Sequence, residues 1–401
     1  MVETGLDVLC AERLSLLRGR RVGVLCHPAS VDAQLVHIVD RLMALGVRPT
    51  RLFGPEHGVR GDAQDMIGVG HDRDRRTGLP MRSLYGESFE SLTPSREDLA
   101  DLDVLVIDLQ DVGSRYYTYV WTMALALGAA AASGVAVMVL DRPNPLGGVA
   151  IEGGPVVAGY ESFVGLGSVP VRHGLTIAEI ARLVMLGMPW GGPRFARPLD
   201  ADVTVIAMRG WRRAMRFEDT RLPWVMPSPN MPTPDTAFVY PGQCLFEATN
   251  LSEGRGTTRP FEIVGAPFLD GSGWTEAVAK AGLPGVRLRA LGFRPTFHKF
   301  GGAACGGVQL HVTDRATFRP YRTGVALLAA ARRLAPESFR WRSEPYEFVT
   351  EHPAIDLLTG SDDIRLGMER DASLDELLAA GAGFEREFAN LRRPALIPEY
   401  G

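Results

Sequence analysis

Short apolar runs alternate with amphipathic segments along the first half of the chain. Fully apolar runs predict buried strands, because a parallel strand covered on both faces has no solvent side. The predicted strands cover residues 21–26, 49–53, 103–108, 135–140 and 203–208. Helical spacing of apolar residues predicts helices between them, at residues 32–45, 116–133 and 176–186. This order of strands and helices predicts an α/β fold built on a parallel, doubly wound sheet.

The pattern changes after about residue 240, where glycine and proline become frequent. One alternating strand and two helices are predicted there, at residues 307–313, 322–334 and 374–391. We therefore expect a second, smaller α+β domain. Two domains also agree with a length of 401 residues, which exceeds the size at which single cores stop growing. The predicted division is residues 1–240 and residues 241–401, with a pocket at the junction.

Composition and charge narrow the class of protein. A net charge of −4 gives no reason to expect binding to nucleic acid or to an anionic membrane surface. No apolar run approaches the ~18 residues that would span a bilayer. The N-terminus has no basic segment followed by an apolar one, and the four cysteines are scattered without metal or disulfide spacing. We expect a cytoplasmic protein, and the pattern leaves its oligomeric state open.

Polar loops follow three of the predicted strands, at residues 56–57, 110–115 and 141–144. Ligands of open α/β sheets bind outside the carboxyl ends of the strands, so these loops should converge on one edge. The first strand leads into no G-x-G-x-x-G, and no phosphate-binding G-x-x-x-x-G-K-[ST] occurs, so we expect no nucleotide and no cofactor. A metal site is a weaker alternative, because its candidate ligands lack any recognised spacing; they are His27, His57, His173 and Asp111.

The run from Tyr240 to Phe261 is the densest cluster of polar groups in the chain. It includes two carboxylates, two guanidiniums, and several amide and hydroxyl groups, and glycine and proline interrupt it. Such a composition predicts a loop, and functional groups concentrate on loops held by a rigid scaffold. Its apolar members predict that the loop is tethered to a core rather than solvated.

Paired carboxylates suit cleavage of a glycosidic bond, in which one acid protonates the leaving oxygen and a second carboxylate activates water or attacks. Glu56 is the best candidate acid, because it follows a predicted strand and Gly58 allows a ligand to approach closely. Three residues are candidates for the second carboxylate: Asp111, Glu247 and Glu253.

Six motifs occur in an order that resembles the bacterial exo-β-N-acetylmuramidases of the NamZ type, a family also called DUF1343. They are FGPEHGVRG at 53–61, DLQDVGSRYYTY at 108–119, DRPNPLGG at 141–148, VPVRHGLT at 169–176, PSPNMP at 227–232 and the run at 240–261. The resemblance implies a Rossmann-like N-terminal domain, a smaller C-terminal domain and an active site between them. It also implies release of N-acetylmuramic acid from the non-reducing end of peptidoglycan fragments, with Glu56 as the catalytic acid. The absence of a secretion signal favours recycling of imported fragments.

The substrate class fits the polar residues of these motifs. N-acetylmuramic acid carries a lactyl carboxylate, for which Arg115 and Arg255 are the first candidates and Arg60 a further one. Tyr116, Tyr117 and Tyr119 are candidates for an aromatic platform under the sugar. The remaining candidates for binding hydroxyl and amide groups are His57, Gln110, Asn144, His173, Asn230, Asn250, Ser252 and Thr257.

Two other functions stay open at this point. One is an amidase or esterase using Ser114 or Ser252 with His57, although no G-x-S-x-G elbow occurs. The other is a muropeptide-binding protein without catalysis. The sequence does not fix the separation of the carboxylates, so it does not decide between retention and inversion at the anomeric carbon.

Overall fold

The computed structural model describes residues 1–60 and 72–401, and this part of the chain contains two β-sheets. The larger sheet has seven strands in the spatial order β3-β4-β2-β1-β5-β6-β7. Its strands are β1 (Val22–Cys26), β2 (Arg51–Gly54), β3 (Asp72–Arg73), β4 (Pro80–Ser83), β5 (Val104–Asp108), β6 (Ala136–Leu140) and β7 (Val203–Ile206). All neighbours pair in parallel except the two-residue edge strand β3, which runs antiparallel to β4.

Successive residues of the central strands bury into two separate cores, one on each face of the sheet. In β5, Val104 and Val106 join one core, and Leu105 and Ile107 join the other. Twelve α-helices are found among the described residues. They are α1 (Gly5–Val8), α2 (Ile38–Ala44), α3 (Arg96–Leu99), α4 (Tyr119–Ala132), α5 (Ile177–Leu186), α6 (Phe217–Thr220), α7 (Pro234–Gln243), α8 (Gly271–Ala279), α9 (Pro320–Leu334), α10 (Ala354–Thr359), α11 (Asp363–Glu369) and α12 (Leu374–Leu391).

The prediction of a doubly wound parallel sheet is confirmed, because helices cover both of its faces. Residues of α1 and α2 belong to one core, and residues of α4 and α5 belong to the other. Helix α5 begins where the sequence places it. The Thr176 hydroxyl accepts a hydrogen bond from the Glu179 N–H, and the Glu179 carboxylate accepts one from the Thr176 N–H, which is a capping box.

The predicted helix at residues 32–45 is wrong in its first turn. The Asp32 carboxylate accepts hydrogen bonds from the N–H groups of Gln34 and Val36, both at 2.9 Å, and so closes a turn. Helix α2 starts only at Ile38, with the His37 ring accepting from the Val39 N–H. An aspartate that caps a turn and one that caps a helix give the same sequence signal.

The prediction of a loop throughout residues 240–261 is wrong for its first third. Helix α7 extends to Gln243, and a 3₁₀ helix follows from Cys244 to Ala248. The Thr233 hydroxyl caps α7, and Pro234 occupies its first turn, where a missing N–H costs nothing. From Thr249 onward the segment is irregular, as predicted, until β8 begins at Ile263.

The smaller sheet has the antiparallel order β8-β10-β9, formed by β8 (Ile263–Ala266), β9 (Val286–Phe293) and β10 (Cys305–Val312). Helix α8 packs on this sheet and α9 packs on α8, which confirms the predicted smaller α+β unit. The C-terminus returns to the large sheet, where the Tyr400 hydroxyl donates to Asp141 at 2.6 Å. The predicted boundary at residues 240 and 241 stays a prediction.

Candidate active site

A narrow cleft lies between the loop after β2, the start of α4 and the segment that follows α7. Its walls are formed by acidic, aromatic and polar side chains from both halves of the chain: Glu56, His57, Tyr116, Tyr117, Thr118, Tyr119, Val164, Ser228, Asn230, Met231, Tyr240, Glu247, Arg255, Phe261, Tyr346 and Glu347. Eight of the residues predicted from the sequence are therefore brought together: Glu56, His57, Tyr116, Tyr117, Tyr119, Asn230, Glu247 and Arg255.

Glu56 is placed by the turn that ends β2. His57 and Gly58 both have left-handed backbone angles, with φ of 70° and 78°, so the chain reverses directly after the glutamate. The carboxylate is buried, and the Thr118 hydroxyl donates to its Oε2 atom at 3.2 Å. The last residue of this motif, Gly61, lies outside the described residues.

Buried tyrosines form one wall of the cleft and hold the Glu56 loop. The Tyr119 hydroxyl donates to the Pro227 carbonyl at 2.7 Å and lies 3.3 Å from the Glu56 carbonyl. Tyr117 packs edge to face against Tyr119 and Tyr240, with ring centroids 4.8 and 5.8 Å apart. Burial raises the pKa of Tyr116, Tyr119 and Tyr240 well above the usual value, so these side chains remain protonated donors.

Glu247 lies at the mouth of the cleft and is held by two donors from distant segments. Arg255 donates to its Oε1 atom at 2.5 Å, and the Tyr346 hydroxyl donates to its Oε2 atom at 2.8 Å. Burial raises the pKa of Tyr346 well above its usual value, and the charge of Glu247 adds to the rise. The phenol is therefore a constant donor, and the orientation of the Glu247 carboxylate is fixed.

Glu253, the other carboxylate predicted from this run, is fully buried behind Arg255. Lys299 lies 3.0 Å from it, and Arg255 and His298 each lie 3.2 Å from it. Burial opposes the charged form, but these three basic groups more than offset it and lower the pKa of Glu253 to about 2. Glu253 does not line the cleft, and its contacts anchor the loop that carries Arg255.

The cleft contains a third glutamate, Glu347, that sequence reasoning missed. It follows Tyr346 in a turn where Glu347 and Phe348 have left-handed φ angles of 48° and 67°. A β-branched or bulky residue rarely adopts this conformation, so the turn is a strained one. The clustering of Tyr346, Glu347 and Phe348 after Pro345 was the available signal. Ser228, Tyr240 and Tyr346 were missed as well.

The structure does not bring Arg115 to the cleft. Its guanidinium is fully buried and donates to the carbonyls of Gly154, Val169 and Leu358, each at 2.7 Å. Arg115 therefore joins three segments of backbone. Asp111 and His173 likewise lie outside the lining, 3.3 Å apart, and Asp111 also accepts from the Gly113 N–H.

Three further predicted residues stabilise the loops at the strand ends. The Arg60 side chain pairs with Asp74 at 3.0 Å. The Gln110 amide donates to the Asp111 and Pro143 carbonyls, and the Asn144 amide donates to the Leu175 carbonyl. None of the three lines the cleft.

The last three predicted residues belong to the run after α7. Asn250 lines a separate outer groove, where its side chain bonds the Ser338 carbonyl and the Arg340 N–H. The Ser252 hydroxyl accepts from the Gly254 N–H, and the Thr257 hydroxyl donates to the Gly254 carbonyl. Both hydroxyls therefore shape the loop around Gly254.

The cleft is narrow, with a cavity volume of about 40 Å³. Within residues 1–60 and 72–401, no group of three or more His, Cys, Asp or Glu side chains is placed to hold a metal ion. The same residues contain no helix long and apolar enough to cross a bilayer.

Comparison with known proteins gives full-length matches. The model of the family described as exo-β-N-acetylmuramidase NamZ, N-terminal, matches residues 22–235, and its C-terminal counterpart matches residues 238–397. A curated relative, the peptidoglycan β-N-acetylmuramidase NamZ of Bacillus subtilis strain 168, is 44% identical over 99% of this chain and 91% of its own length.

Two solved structures of DUF1343 family proteins from Bacteroides fragilis NCTC 9343 also match over their whole length. One has a TM-score of 0.87 at 31% identity and covers 99% of this chain and 98% of its own. The other has a TM-score of 0.76 at 28% identity and covers 99% of both chains.

The fold and the cleft define a two-sheet α/β protein with a buried, glutamate-lined and tyrosine-walled site where its halves meet. Within that class, the chain belongs to the exo-β-N-acetylmuramidase NamZ family.

Proposed function

We propose that this protein is an exo-acting glycoside hydrolase that releases N-acetylmuramic acid from the non-reducing end of peptidoglycan fragments. The observation that carries the proposal is the meeting of Glu56 and Glu247 in one cleft, in a chain of the NamZ family. A pair of carboxylates across the scissile bond is what glycoside hydrolysis requires.

Glu56 is the proposed general acid, which protonates the oxygen of the leaving sugar. Its carboxylate is buried, and its turn holds it against Thr118 and Tyr119. Positioned proton transfer of this kind contributes about 10²–10⁴-fold to the rate.

Glu247 is the proposed second carboxylate, which activates water or attacks the anomeric carbon. Arg255 and Tyr346 fix its orientation. Among the sequence candidates, Glu253 and Asp111 are less suited, because both lie outside the cleft lining and are held by other partners. Glu347 is the remaining carboxylate of the cleft, and the proposal predicts a smaller loss from Glu347→Gln than from Glu247→Gln.

Recognition of the terminal sugar is assigned to the polar and aromatic lining. Arg255 is the cation nearest to Glu247 in that lining and is the proposed partner of the lactyl carboxylate. The protonated tyrosines supply hydroxyl donors and apolar ring faces to the sugar. A cleft that encloses one terminal sugar blocks the binding of internal residues, which supports exo action.

The first prediction concerns Glu56→Gln. The amide keeps the size of the side chain and removes the transferable proton, so turnover should fall about 10²–10⁴-fold while the fold is retained. The measurement is release of the aryl group from an aryl β-glycoside of N-acetylmuramic acid, with the melting temperature of each variant. Glu87→Gln, at an exposed position, is the matched control.

Wild-type rates in Glu56→Gln would show that Glu56 is not the general acid. Binding of the glycoside by the wild-type protein without release would instead support a muropeptide-binding protein. Full activity in the presence of a chelator is expected, since the proposed chemistry uses only side chains.

A role in recycling, with the protein in the cytoplasm, is part of the proposal. It predicts that loss of the gene leads to accumulation of intracellular fragments with terminal N-acetylmuramic acid.

A further inference from the structure

An outer groove of about 730 Å³ opens beside the narrow cleft. It is lined by three segments of the second half of the chain: residues 247–250, residues 298–300 and residues 340–344. Glu247 belongs to the lining of both the groove and the cleft, so this proposed catalytic carboxylate stands at their border.

The groove is joined to the cleft by a chain of contacts as well. Arg342, in the groove, lies over the ring of Tyr346 at 4.9 Å, and the Tyr346 hydroxyl donates to Glu247. A substrate whose scissile bond lies beside Glu247 would therefore place the sugar on one side of that bond in the enclosed cleft. The part on the other side of the bond would lie in the open groove. An exo-acting enzyme needs this asymmetry, because only the terminal sugar is enclosed while the rest of the bound fragment must extend outside the cleft.

The chemistry of the groove suits an anionic saccharide. Trp341 is partly exposed, and its indole N–H donates to Glu369 at 3.2 Å while its ring makes a T-shaped contact with Phe339, with the ring centroids 4.9 Å apart. The side chain is thereby held in one orientation, as a sugar-stacking platform must be. Arg340 is exposed beside it. Lys299 contributes little free charge, because its ammonium group bonds Glu253 and the carbonyls of Phe246 and Leu251.

We propose that this outer groove binds the leaving-group part of the substrate, with Trp341 stacking against the sugar that follows the scissile bond. Arg340 pairs with a carboxylate farther along the fragment, which belongs either to the lactyl group of the next N-acetylmuramic acid or to a stem peptide. The inference rests on the proposed function, since it extends the substrate of that same site.

The test compares kcat/KM on substrates that differ only beyond the scissile bond. An aryl β-glycoside of N-acetylmuramic acid has no second sugar. The disaccharide with N-acetylglucosamine has one neutral sugar, and the peptide-free and peptide-bearing tetrasaccharides add a carboxylate from each source. Ratios between substrates cancel any general loss of activity in a variant.

Trp341→Ala should lower the ratio of disaccharide to aryl glycoside about tenfold, and Trp341→Phe should restore most of it. Arg340→Ala should lower the ratio of tetrasaccharide to disaccharide about fivefold, as an exposed ion pair does, and Arg340→Lys should keep it. An effect on the peptide-free tetrasaccharide alone identifies the lactyl carboxylate, because a stem peptide is joined to that carboxyl group through an amide bond and removes its charge. An effect on the peptide-bearing one alone identifies the stem peptide.

Trp190→Ala and Arg287→Ala are the matched controls. Trp190 is also partly exposed with one indole hydrogen bond, to the Ser168 carbonyl, and Arg287 is exposed on β9; neither lines the groove. Unchanged ratios in Trp341→Ala and Arg340→Ala would overturn the inference. So would an equal loss on the aryl glycoside, because the groove would then hold the terminal sugar. A wild-type protein inactive on every substrate would overturn the proposed function itself.

Discussion

Arginine residues with similar sequence surroundings have different surroundings in the folded protein. Arg115 and Arg255 both lie in polar, glycine-containing runs, and both are candidates for the lactyl carboxylate on that ground. In the fold, Arg255 lines the cleft beside Glu247, whereas the Arg115 guanidinium donates hydrogen bonds to three backbone carbonyls. Residue type and local pattern identify a cation but do not say which partner it meets, because the partners come from distant parts of the chain.

Alanine substitutions of the two arginines should therefore have different effects. Arg255→Ala should reduce the preference for N-acetylmuramic acid over N-acetylglucosamine aryl glycosides by roughly 10–100-fold in kcat/KM, since a charge-assisted contact is lost. Arg115→Ala should lower the free energy of unfolding by roughly 3 kcal/mol, because three buried carbonyls lose their donor, and leave the preference unaltered. An unaltered preference in Arg255→Ala would place recognition of the carboxylate elsewhere.

Glu253 predicts a pH dependence of stability. Its pKa is about 2 in the folded protein against the usual value of 4.5, because Lys299, Arg255 and His298 more than offset the effect of burial. A carboxyl group whose pKa is lower in the folded protein than in the unfolded chain stabilises the fold above its unfolded pKa. That stability is lost as the pH falls toward the folded pKa. The window therefore lies between pH 4.5 and pH 2.

Urea unfolding at pH 5 and pH 3 measures this contribution. The wild-type protein should lose on the order of 1–2 kcal/mol more than Glu253→Gln over that interval. The variant itself should be less stable at pH 5, since it leaves Lys299 and Arg255 without their buried partner. Parallel pH dependences in the two proteins would mean that the cluster does not hold an ionised Glu253.

Elements with strong periodicity are predictable from the sequence, and elements defined by contacts are not. Strands β1 and β5 are buried at every residue, so their apolar runs locate them closely. Helix α7 was missed because Pro241 and Gly242, which usually interrupt a helix, lie inside it. Gly242 is needed there for a reason that only the fold reveals. A Cβ atom on it would lie 1.9 Å from the Pro320 carbonyl oxygen of α9.

The close approach of α7 and α9 gives a prediction at this scale. A Cβ atom on Gly324 of α9 would lie 2.1 Å from the Gly242 carbonyl oxygen, so Gly324→Ala must push the two helices apart. We expect a loss of about 1–3 kcal/mol in the free energy of unfolding. Gly383→Ala in α12 is the matched control, because nothing lies within 4 Å of its Cβ position, and helix propensity predicts a gain of about 0.5–1 kcal/mol. Equal effects of the two substitutions would contradict the packing described.

At the scale of the whole molecule, the candidate site is assembled from segments that lie far apart in the sequence. Glu56 follows β2, Tyr119 begins α4, Glu247 follows α7, and Tyr346 and Glu347 come from an irregular turn after α9. The order of the motifs led to the family and to Glu56, but nothing local in the sequence joins Tyr346 to Glu247. Long-range contacts of this kind are fixed by the packing of both sheets. The periodicity of apolar residues predicts single helices and strands but not these contacts.

The most direct test of the account is product analysis on a defined peptidoglycan glycan that begins with N-acetylmuramic acid at its non-reducing end. The wild-type protein should release free N-acetylmuramic acid as the first product and leave a chain shorter by one residue, with chelator present throughout. A chain that begins with N-acetylglucosamine should stay intact. Larger internal fragments, or cleavage of the chain that begins with N-acetylglucosamine, would contradict an exo-acting β-N-acetylmuramidase.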